Sequence, residues 1–337
     1  GAVDEKAVDA LVADVLRMMF RFGVFERADG SIGDMPFEAH RMLSLRAAER
    51  GAVLLKNEDG TLPLTSDGAV AVIGDRAFRA SVGGGGSSAV HPRFEPVPPL
   101  AALTDRLGPK RVRSARGIDE LPGAVAVTES AWSKADGSPG VEAAYFGNPE
   151  FSGEPVLERT ETRIGFDWSR FAPQASIPVD GWSARFKGRL SVPVSGRYEL
   201  ELVRSGAARA WLDGRPLFPE NSWRHGGLAH FEASVEFEAG RNYEVVIEYV
   251  DNGQRRALVK LGWRVAGRDL RADMIAEAAA IAAQSPAALV FVGDPASEGR
   301  DRPGLSLGDS ANRLVSAVAQ ANPRTVVVLS SGAPVAM

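Results

Sequence analysis

Two kinds of hydrophobic pattern alternate along the chain. Towards both ends, short continuous apolar runs such as residues 69–73, 288–292 and 325–329 stand beside stretches with apolar residues at three- and four-residue spacing. Such runs are typical of strands buried on both faces of a parallel sheet that helices cover. In the middle, residues 185–192 and 243–249 alternate apolar and polar positions, which predicts strands that bury one face. The pattern therefore predicts an α/β unit interrupted by an all-β unit.

The change of pattern divides the chain into four segments. We expect a linker helix in 1–43, the first part of an α/β domain in 44–138, an inserted β domain in 139–268, and the continuation of the α/β domain in 269–337. All four tyrosines and four of the six tryptophans lie between Val141 and Gly262, which supports a separate insert. The apolar run 52–55 predicts one further buried strand.

Composition narrows the classes of function. The 337 residues are 45% hydrophobic and 24% charged with a formal net charge of −4, which is typical of globular domains. This balance lacks the basic excess of a nucleic-acid-binding surface, and no apolar run approaches the roughly 18 residues that cross a membrane. There is no cysteine, and the four histidines show no metal-ligand spacing, so we expect no metal and no cofactor. The first residues show no signal peptide.

The strongest candidate for catalysis is Glu298, within the charged run 293–302. The run directly follows the predicted strand 288–292, and ligand sites of open parallel sheets lie beyond the carboxyl ends of their strands. A loop with three acids and two arginines can hold one carboxyl group as a proton donor while its neighbours tune it. On spacing alone, a solvated charged loop without a catalytic role is the commoner outcome.

Two other loops carry candidates for binding. The glycine run 83–88 can cradle an anion, but it lacks the lysine of a P-loop, and a tightly packed backbone loop is the commoner explanation. In the predicted insert, the loop 218–227 holds Phe218, Trp223 and His225. Aromatic faces beside polar groups suit contact with a carbohydrate, although packing on their own domain explains such aromatics more often.

Motifs in both α/β stretches follow one another in a fixed order. They are RAAERGAVLLKN (46–57), LPL (62–64), AVIG (71–74), GGGGSS (83–88), EGRDR (298–302), NPRTVVVL (322–329) and SGAPV (331–335). In order and spacing they resemble glycoside hydrolase family 3, the β-glucosidase group. Within the insert, VEAAYF (141–146), SGRYEL (195–200) and WLDG (211–214) are similar to a PA14 domain, which some members of that family carry at this place.

The resemblance implies a fold and a mechanism. The fold is part of an (α/β)6 sandwich domain, interrupted by an all-β PA14-like sandwich or barrel. Residues 1–43 would leave an N-terminal (β/α)8 barrel that this chain lacks, as it lacks the family's C-terminal end. Retaining glycosidases use two carboxyl groups about 5–5.5 Å apart. By resemblance Glu298 is the acid/base, the nucleophilic aspartate lies on the barrel, and Asp301 and Arg302 hold the loop or bias Glu298.

The implied function is that of a retaining β-glycosidase, most specifically a β-glucosidase that hydrolyses terminal non-reducing β-D-glucosyl residues of oligosaccharides or glycosides. This chain would supply the acid/base loop and, through Phe218, Trp223 and His225, a wall on the aglycone side, and it is expected to be inactive alone. Expected partners are the β-glucoside or oligosaccharide substrate and the barrel-containing part of the enzyme, in the same chain or a separate one.

Other expectations stay open at this point. A homodimer is neither predicted nor excluded, and a secreted or periplasmic location is slightly favoured over a cytoplasmic one. The alternative function is a non-catalytic PA14 carbohydrate-binding module on an α/β scaffold. A phosphorylase-like member of the family would use a histidine on the barrel instead of a loop acid, and Glu298 argues against that reading.

Overall fold

The computed structural model of the protein divides the chain into two units. They are Gly1–Lys56 and Asn57–Met337, and each is described by itself. The structure describes residues 3–26, 35–64, 68–80, 96–169, 172–224, 226–251, 253, 256–294, 302 and 304–336. Within these residues, no helix is both long and apolar enough to span a membrane.

The first unit consists of two helices over its described residues, α1 (Glu5–Arg21) and α2 (Phe37–Gly51). Asp4 caps α1, since its carboxylate accepts a hydrogen bond from the backbone N–H of Lys6 at 3.2 Å. The prediction of a buried strand at 52–55 is wrong, because these residues form no strand and their large side chains are exposed. An apolar run becomes a strand only where a neighbour takes up its backbone hydrogen bonds, and none of the described strands pairs with it.

The second unit contains fifteen strands and three helices over its described residues. In chain order the strands are β1 (Val70–Ile73), β2 (Val112–Ala115), β3 (Val125–Ala126), β4 (Trp132–Ser133), β5 (Val141–Phe146), β6 (Leu157–Glu161), β7 (Gly165–Ser169), β8 (Ser183–Ser191), β9 (Gly196–Leu212), β10 (Arg215–Pro216), β11 (Gly226–Phe237), β12 (Asn242–Val250), β13 (Ala257–Val265), β14 (Ala287–Gly293) and β15 (Thr325–Ser330). The helices are α3 (Pro99–Leu107), α4 (Leu270–Ala283) and α5 (Asp309–Ala321).

Four strands form a parallel sheet in the order β15-β14-β1-β2. Every residue of the central strand β1 is buried, because helices cover both faces of the sheet. On one face α4 and α5 pack through Ala278 and Leu314, and on the other face α3 packs through Leu103. A parallel sheet buried in this way confirms the predicted α/β class.

The other eleven strands form a β domain of two layers that share the long strand β9. The first half of β9 pairs with β11 and β13, and its second half pairs with β12. β9 passes between the layers at Gly206, where φ is 115° and an added Cβ would lie 2.6 Å from the carbonyl oxygen of Val250. Large aromatic side chains such as Trp182 and Tyr145 fill the core between the layers. The predicted all-β insert is thus confirmed.

The hydrogen-bonded layers of the β domain begin upstream of residue 139, where the sequence placed the start of the insert. β3 pairs with β13, and β4 pairs with β8. Each of these two early strands has only two residues, so no alternation of apolar and polar positions marks them in the sequence. The chain leaves the parallel sheet after β2 and returns to it through α4 and β14.

Candidate active site at the carboxyl edge of the parallel sheet

Charged side chains gather where the parallel strands end. β1 leads into Gly74 and Asp75, and β14 leads into Asp294. These two turns are neighbours, because β1 and β14 are adjacent parallel strands. The position of Gly74 excludes a side chain, since a Cβ would lie 2.1 Å from the carbonyl oxygen of Phe291. Ligand sites of open α/β sheets lie at this edge.

Arg302 joins the two ends of the segment 294–302. Its Nη1 lies 3.0 Å from Oδ2 of Asp294, and it also donates a hydrogen bond to the carbonyl oxygen of Pro334 at 3.1 Å. Its Nη2 donates to the carbonyl oxygen of Ser306 at 3.2 Å. We name the Asp294–Arg302 contact the loop clamp. The sequence predicted a supporting role for Arg302 but not this partner, although an acid directly after a buried strand was a usable signal.

Several candidate residues of the sequence analysis lie outside the part of the chain that the structure describes. Glu298, Asp301, His225 and the glycine run 83–88 lie outside the described residues. Within the described part of the chain, no group of three or more histidine, aspartate or glutamate side chains is arranged to hold a metal ion.

Asp75 is the buried acid around which the arginines of this edge gather. Its side chain is 0% exposed, and it contacts three guanidinium groups, those of Arg79 at 2.7 Å, Arg116 at 2.8 Å and Arg163 at 3.3 Å. Burial acts to raise the pKa of Asp75, but the three positive charges outweigh burial and hold the pKa below its usual value. Asp75 is therefore a buried, ionised carboxylate.

Glu120 connects the surroundings of Asp75 to the loop clamp. It contacts Arg79 at 3.3 Å and Arg76 at 3.1 Å, and Arg76 donates from Nη2 to the backbone carbonyl of Asp294 at 2.7 Å. Burial raises the pKa of Glu120, and the two arginines offset that rise only in part. We name the connected residues the carboxyl-edge network: Arg302, Asp294, Arg76, Glu120, Arg79, Asp75 and Arg163.

The carboxyl-edge network extends into the β domain through buried contacts. Arg163, which precedes β7, also lies 3.4 Å from Asp119. Lys260 of β13 contacts Asp119 at 3.4 Å and donates to the carbonyl oxygen of Leu121 at 3.2 Å. Burial lowers the pKa of Lys260, against the opposing effect of Asp119. Buried charges need well-placed partners, so these contacts fix the β domain on the α/β domain.

The aromatic residues predicted for the β domain differ in their placement. Phe218 is 8% exposed and belongs to the β-domain core, so it does not present an open ring for the predicted contact with the substrate. Trp223 ends a short 3₁₀ turn and is half-buried, with the guanidinium carbon of Arg209 4.1 Å from its ring centre. The loop sequence has no alternation that separates inward from outward positions, which is why Phe218 was misjudged.

The fold and the charged edge define a class of protein: an α/β domain with charged side chains beyond a buried parallel strand and with an inserted β domain. Residues 52–337 match the Glycosyl hydrolase family 3 C-terminal domain. The chain belongs to this family, as its motifs predicted.

Relatives of the chain include β-glucosidases. The chain is 30% identical to "Beta-glucosidase" of Rhizobium radiobacter over 361 residues, which cover 100% of this chain and 42% of that protein. It is 32% identical to "Probable beta-glucosidase J" of Neosartorya fischeri, over 88% of this chain and 38% of that protein. The chain thus spans about two fifths of the length of these relatives.

Two solved structures extend the likeness across both domains. The β-glucosidase from Kluyveromyces marxianus in complex with glucose is 25% identical with a TM-score of 0.53, covering 92% of this chain and 38% of that chain. DesR, a β-glucosidase from Streptomyces venezuelae in complex with D-glucose, is 26% identical with a TM-score of 0.52, covering 94% and 36%.

Proposed function

We propose that this chain is part of a retaining β-glycosidase that releases terminal non-reducing β-D-glucosyl residues, with Glu298 as the acid/base. The observation that supports this most is the loop clamp. Asp294 and Arg302 hold together the two ends of the segment that carries Glu298, at the edge where α/β sheets place their ligand sites. The β-glucosidases among the relatives support the choice of reaction.

The proposed reaction divides two carboxyl groups between two parts of the enzyme. A nucleophilic aspartate on the barrel attacks the anomeric carbon, while Glu298 gives its proton to the leaving oxygen. Glu298 then takes a proton from the water that attacks the glycosyl-enzyme bond and releases the sugar with its configuration retained. Arg302 acts as a positioning residue because it contacts Asp294 at one end of the segment and Ser306 beyond the other, and Asp301 is proposed to assist it.

The β domain is proposed to form a wall on the aglycone side of the site. Trp223 stays a candidate because its ring is half-buried rather than enclosed in the core. His225, which lies outside the described residues, stays a candidate from the sequence alone. Phe218 supports the wall from inside the domain, since its ring is packed in the core. The buried contacts of Arg163 and Lys260 would keep such a wall in a fixed position.

The test of Glu298 is the dependence on the leaving group. In the complete enzyme, meaning this chain together with its barrel, Glu298→Gln should slow alkyl glucosides or cellobiose far more than a dinitrophenyl glucoside, because only poor leaving groups need the proton. Glu277→Gln is the matched control, since Glu277 is exposed on α4. An equal loss for both substrate types, or no loss, would show that Glu298 is not the acid.

The division between two parts of the enzyme has its own test. The purified 337-residue chain should not hydrolyse an aryl β-glucoside, because the proposed nucleophile lies on the barrel. Addition of the separately produced barrel part should restore turnover if the two parts associate. Turnover by the chain alone, lost in Glu298→Gln, would refute the placement of the nucleophile.

A further inference from the structure

Asp294, the residue that follows β14, is held at each of its polar groups. Its N–H donates to the carbonyl oxygen of Ser330 at 3.3 Å, and its Oδ1 accepts from the Gly332 N–H at 3.3 Å. Its Oδ2 contacts Arg302 at 3.0 Å, and its carbonyl oxygen accepts a hydrogen bond from Arg76 Nη2 at 2.7 Å. The contact with Arg76 is the shortest of the four.

The carbonyl of Asp294 belongs to the peptide group through which the chain continues towards Glu298, four residues further on. The next residue is Pro295, so this peptide group has no N–H. Its carbonyl oxygen is therefore the one polar group by which it can be held, and Arg76 holds it. The clamp residue Arg302 contacts the side chain of Asp294 instead.

Arg76 is itself fixed in place. It lies in a short 3₁₀ turn, Asp75–Ala77, between two residues that are 0% exposed. Its Nε donates to Glu120 Oε1 at 3.1 Å, and its guanidinium lies against Gly293, where an added Cβ would be 2.8 Å from Nη1. Because its side chain is held on both sides and is only 18% exposed, Arg76 has little freedom to lose when it binds the carbonyl.

Glu120 joins Arg76 to the β domain. It lies on the segment between β2 and β3, along which the chain passes from the parallel sheet into the β domain. The neighbouring Asp119 accepts from the Ala126 N–H at 2.8 Å and contacts Lys260 of β13 at 3.4 Å. The second carboxylate oxygen of Glu120 contacts Arg79 at 3.3 Å. The position of Glu120 therefore depends on how the β domain is attached to the sheet.

We infer that Arg76 is a positioning residue for the acid of the reaction, and that Glu120 acts through Arg76. The hydrogen bond to the Asp294 carbonyl fixes the direction in which the chain leaves β14. A displacement of about 1 Å at a reacting group can cost about 100-fold in rate, so this direction matters for a proton donor further along the chain. The inference rests on the proposed function at one point, the placement of the acid at Glu298.

The test compares two leaving groups in the complete enzyme. Arg76→Met removes both contacts of the guanidinium and keeps an unbranched side chain. It should lower kcat/KM at least about tenfold for an alkyl β-glucoside and less than about twofold for a dinitrophenyl β-glucoside, because only the alkyl leaving group needs the proton. A merely structural role would lower both values equally.

Arg111→Met is the matched control. Arg111 also donates from its guanidinium to a backbone carbonyl, that of Gly68 at 3.0 Å, but this contact lies before β1, at the opposite edge of the sheet. Its loss should leave the ratio of the two kcat/KM values unchanged. Near-UV circular dichroism and urea unfolding establish that each variant is folded.

Two further variants separate the roles of Arg76 and Glu120. Arg76→Lys should recover part of the loss for the alkyl glucoside, since an ammonium group keeps the charge but cannot span the carboxylate and the carbonyl as a guanidinium does. Glu120→Gln should give a smaller loss with the same preference for the alkyl glucoside. It should add nothing in an Arg76→Met background, because its effect passes through Arg76.

The outcomes separate this inference from the proposed function. Equal losses for the two substrates in Arg76→Met, or no loss for either, would overturn the role of Arg76. An effect of Glu120→Gln that persists in full in the Arg76→Met background would overturn the role of Glu120. Should Arg76→Met not fold, Arg76→Lys carries the same test, with a smaller selective loss expected and an equal loss or none overturning the inference.

The same substrates measured with Glu298→Gln complete the separation. If Arg76→Met shows no preference while Glu298→Gln slows the alkyl glucoside selectively, the proposed acid stands without Arg76. If Arg76→Met slows the alkyl glucoside selectively and Glu298→Gln does not, Arg76 positions another acid and the assignment of Glu298 fails.

Discussion

Asp75, at the carboxyl edge of the parallel sheet, and Glu248, on the outer face of the β domain, are both carboxylates among arginines. Asp75 is fully buried and its three arginines come from the α/β domain and the β domain together. Glu248 has two arginine partners, both on strands of one layer and both half-exposed. Carboxylate–arginine ion pairs therefore occur at both places, but the arginines of Glu248 are more exposed to solvent than those of Asp75.

The difference in burial separates their roles. A buried ion pair is costly to break, because the remaining charge has no water to replace its partner. The contacts of Asp75 thus hold the β domain against the α/β domain. Glu248 is also buried, but its two arginines are 44% and 42% exposed, so water replaces part of their interaction and these pairs contribute less to stability. Glu248 instead holds Arg185 and Arg209 on the outer face of the β domain, where the rings of Phe151 and Trp223 lie against them.

The largest expected effect in this comparison is on stability. Asp75→Asn should lower the free energy of unfolding of the chain by about 3–5 kcal/mol, because the buried Arg163 and the partly buried Arg79 and Arg116 lose a fully buried charged partner. Glu248→Gln should cost about 1 kcal/mol, since water solvates its half-exposed arginines. Urea unfolding followed by tryptophan fluorescence measures both changes.

Asp309→Asn provides the control for those two variants. Asp309 is 84% exposed and lies 3.8 Å from Arg313, so its loss should change stability by no more than about 0.5 kcal/mol. Equal losses of stability for Asp75→Asn and Glu248→Gln would show that the exposure of the arginine partners does not set the cost of losing the carboxylate.

A smaller effect on stability but a clear effect on catalysis is expected at the loop clamp. Arg302→Met in the complete enzyme should reduce kcat/KM roughly 100-fold, because a loop acid displaced by about 1 Å loses its alignment. Arg302→Lys should recover only part of the activity, since an ammonium group cannot span the carboxylate and both carbonyls. Unchanged kcat/KM in Arg302→Met would show that the loop clamp does not position the acid.

The smallest expected effect is a change of protein stability with pH. The pKa of Glu120 is raised in the folded protein above the ordinary value of 4.5, so the folded state holds its proton more tightly than the unfolded state. Stability should therefore fall as pH rises from about 4.5 through the raised folded pKa. Glu120→Gln should flatten this part of the stability curve, and an unchanged slope would contradict the assignment.

The fold could be predicted from the sequence because its signals are local. Continuous apolar runs marked β1, β14 and β15, and alternation marked the long strands of the insert, since both patterns are visible within a few residues. The prediction of a strand at 52–55 failed because a strand also needs a neighbouring strand to pair with, and a short stretch of sequence does not show whether one is present.

The candidate site could be predicted only in part. A loop motif predicted Glu298, which stays a prediction outside the described residues, and it also predicted Arg302. The partners of Asp75 come from positions 79, 116 and 163, and no local pattern joins them. Phe151 gave no signal either, because its positive φ and its ring contact with Trp223 depend on the fold and not on neighbouring residues in the sequence.

The measurement that tests the central claim most directly is the pH dependence of kcat/KM in the complete enzyme, with an alkyl β-glucoside as substrate. A general acid must carry its proton, so the parent enzyme should lose activity on the alkaline side of its optimum. Glu298→Gln should abolish this alkaline decline along with most of the activity. An alkaline decline that persists unchanged in Glu298→Gln would show that another group donates the proton.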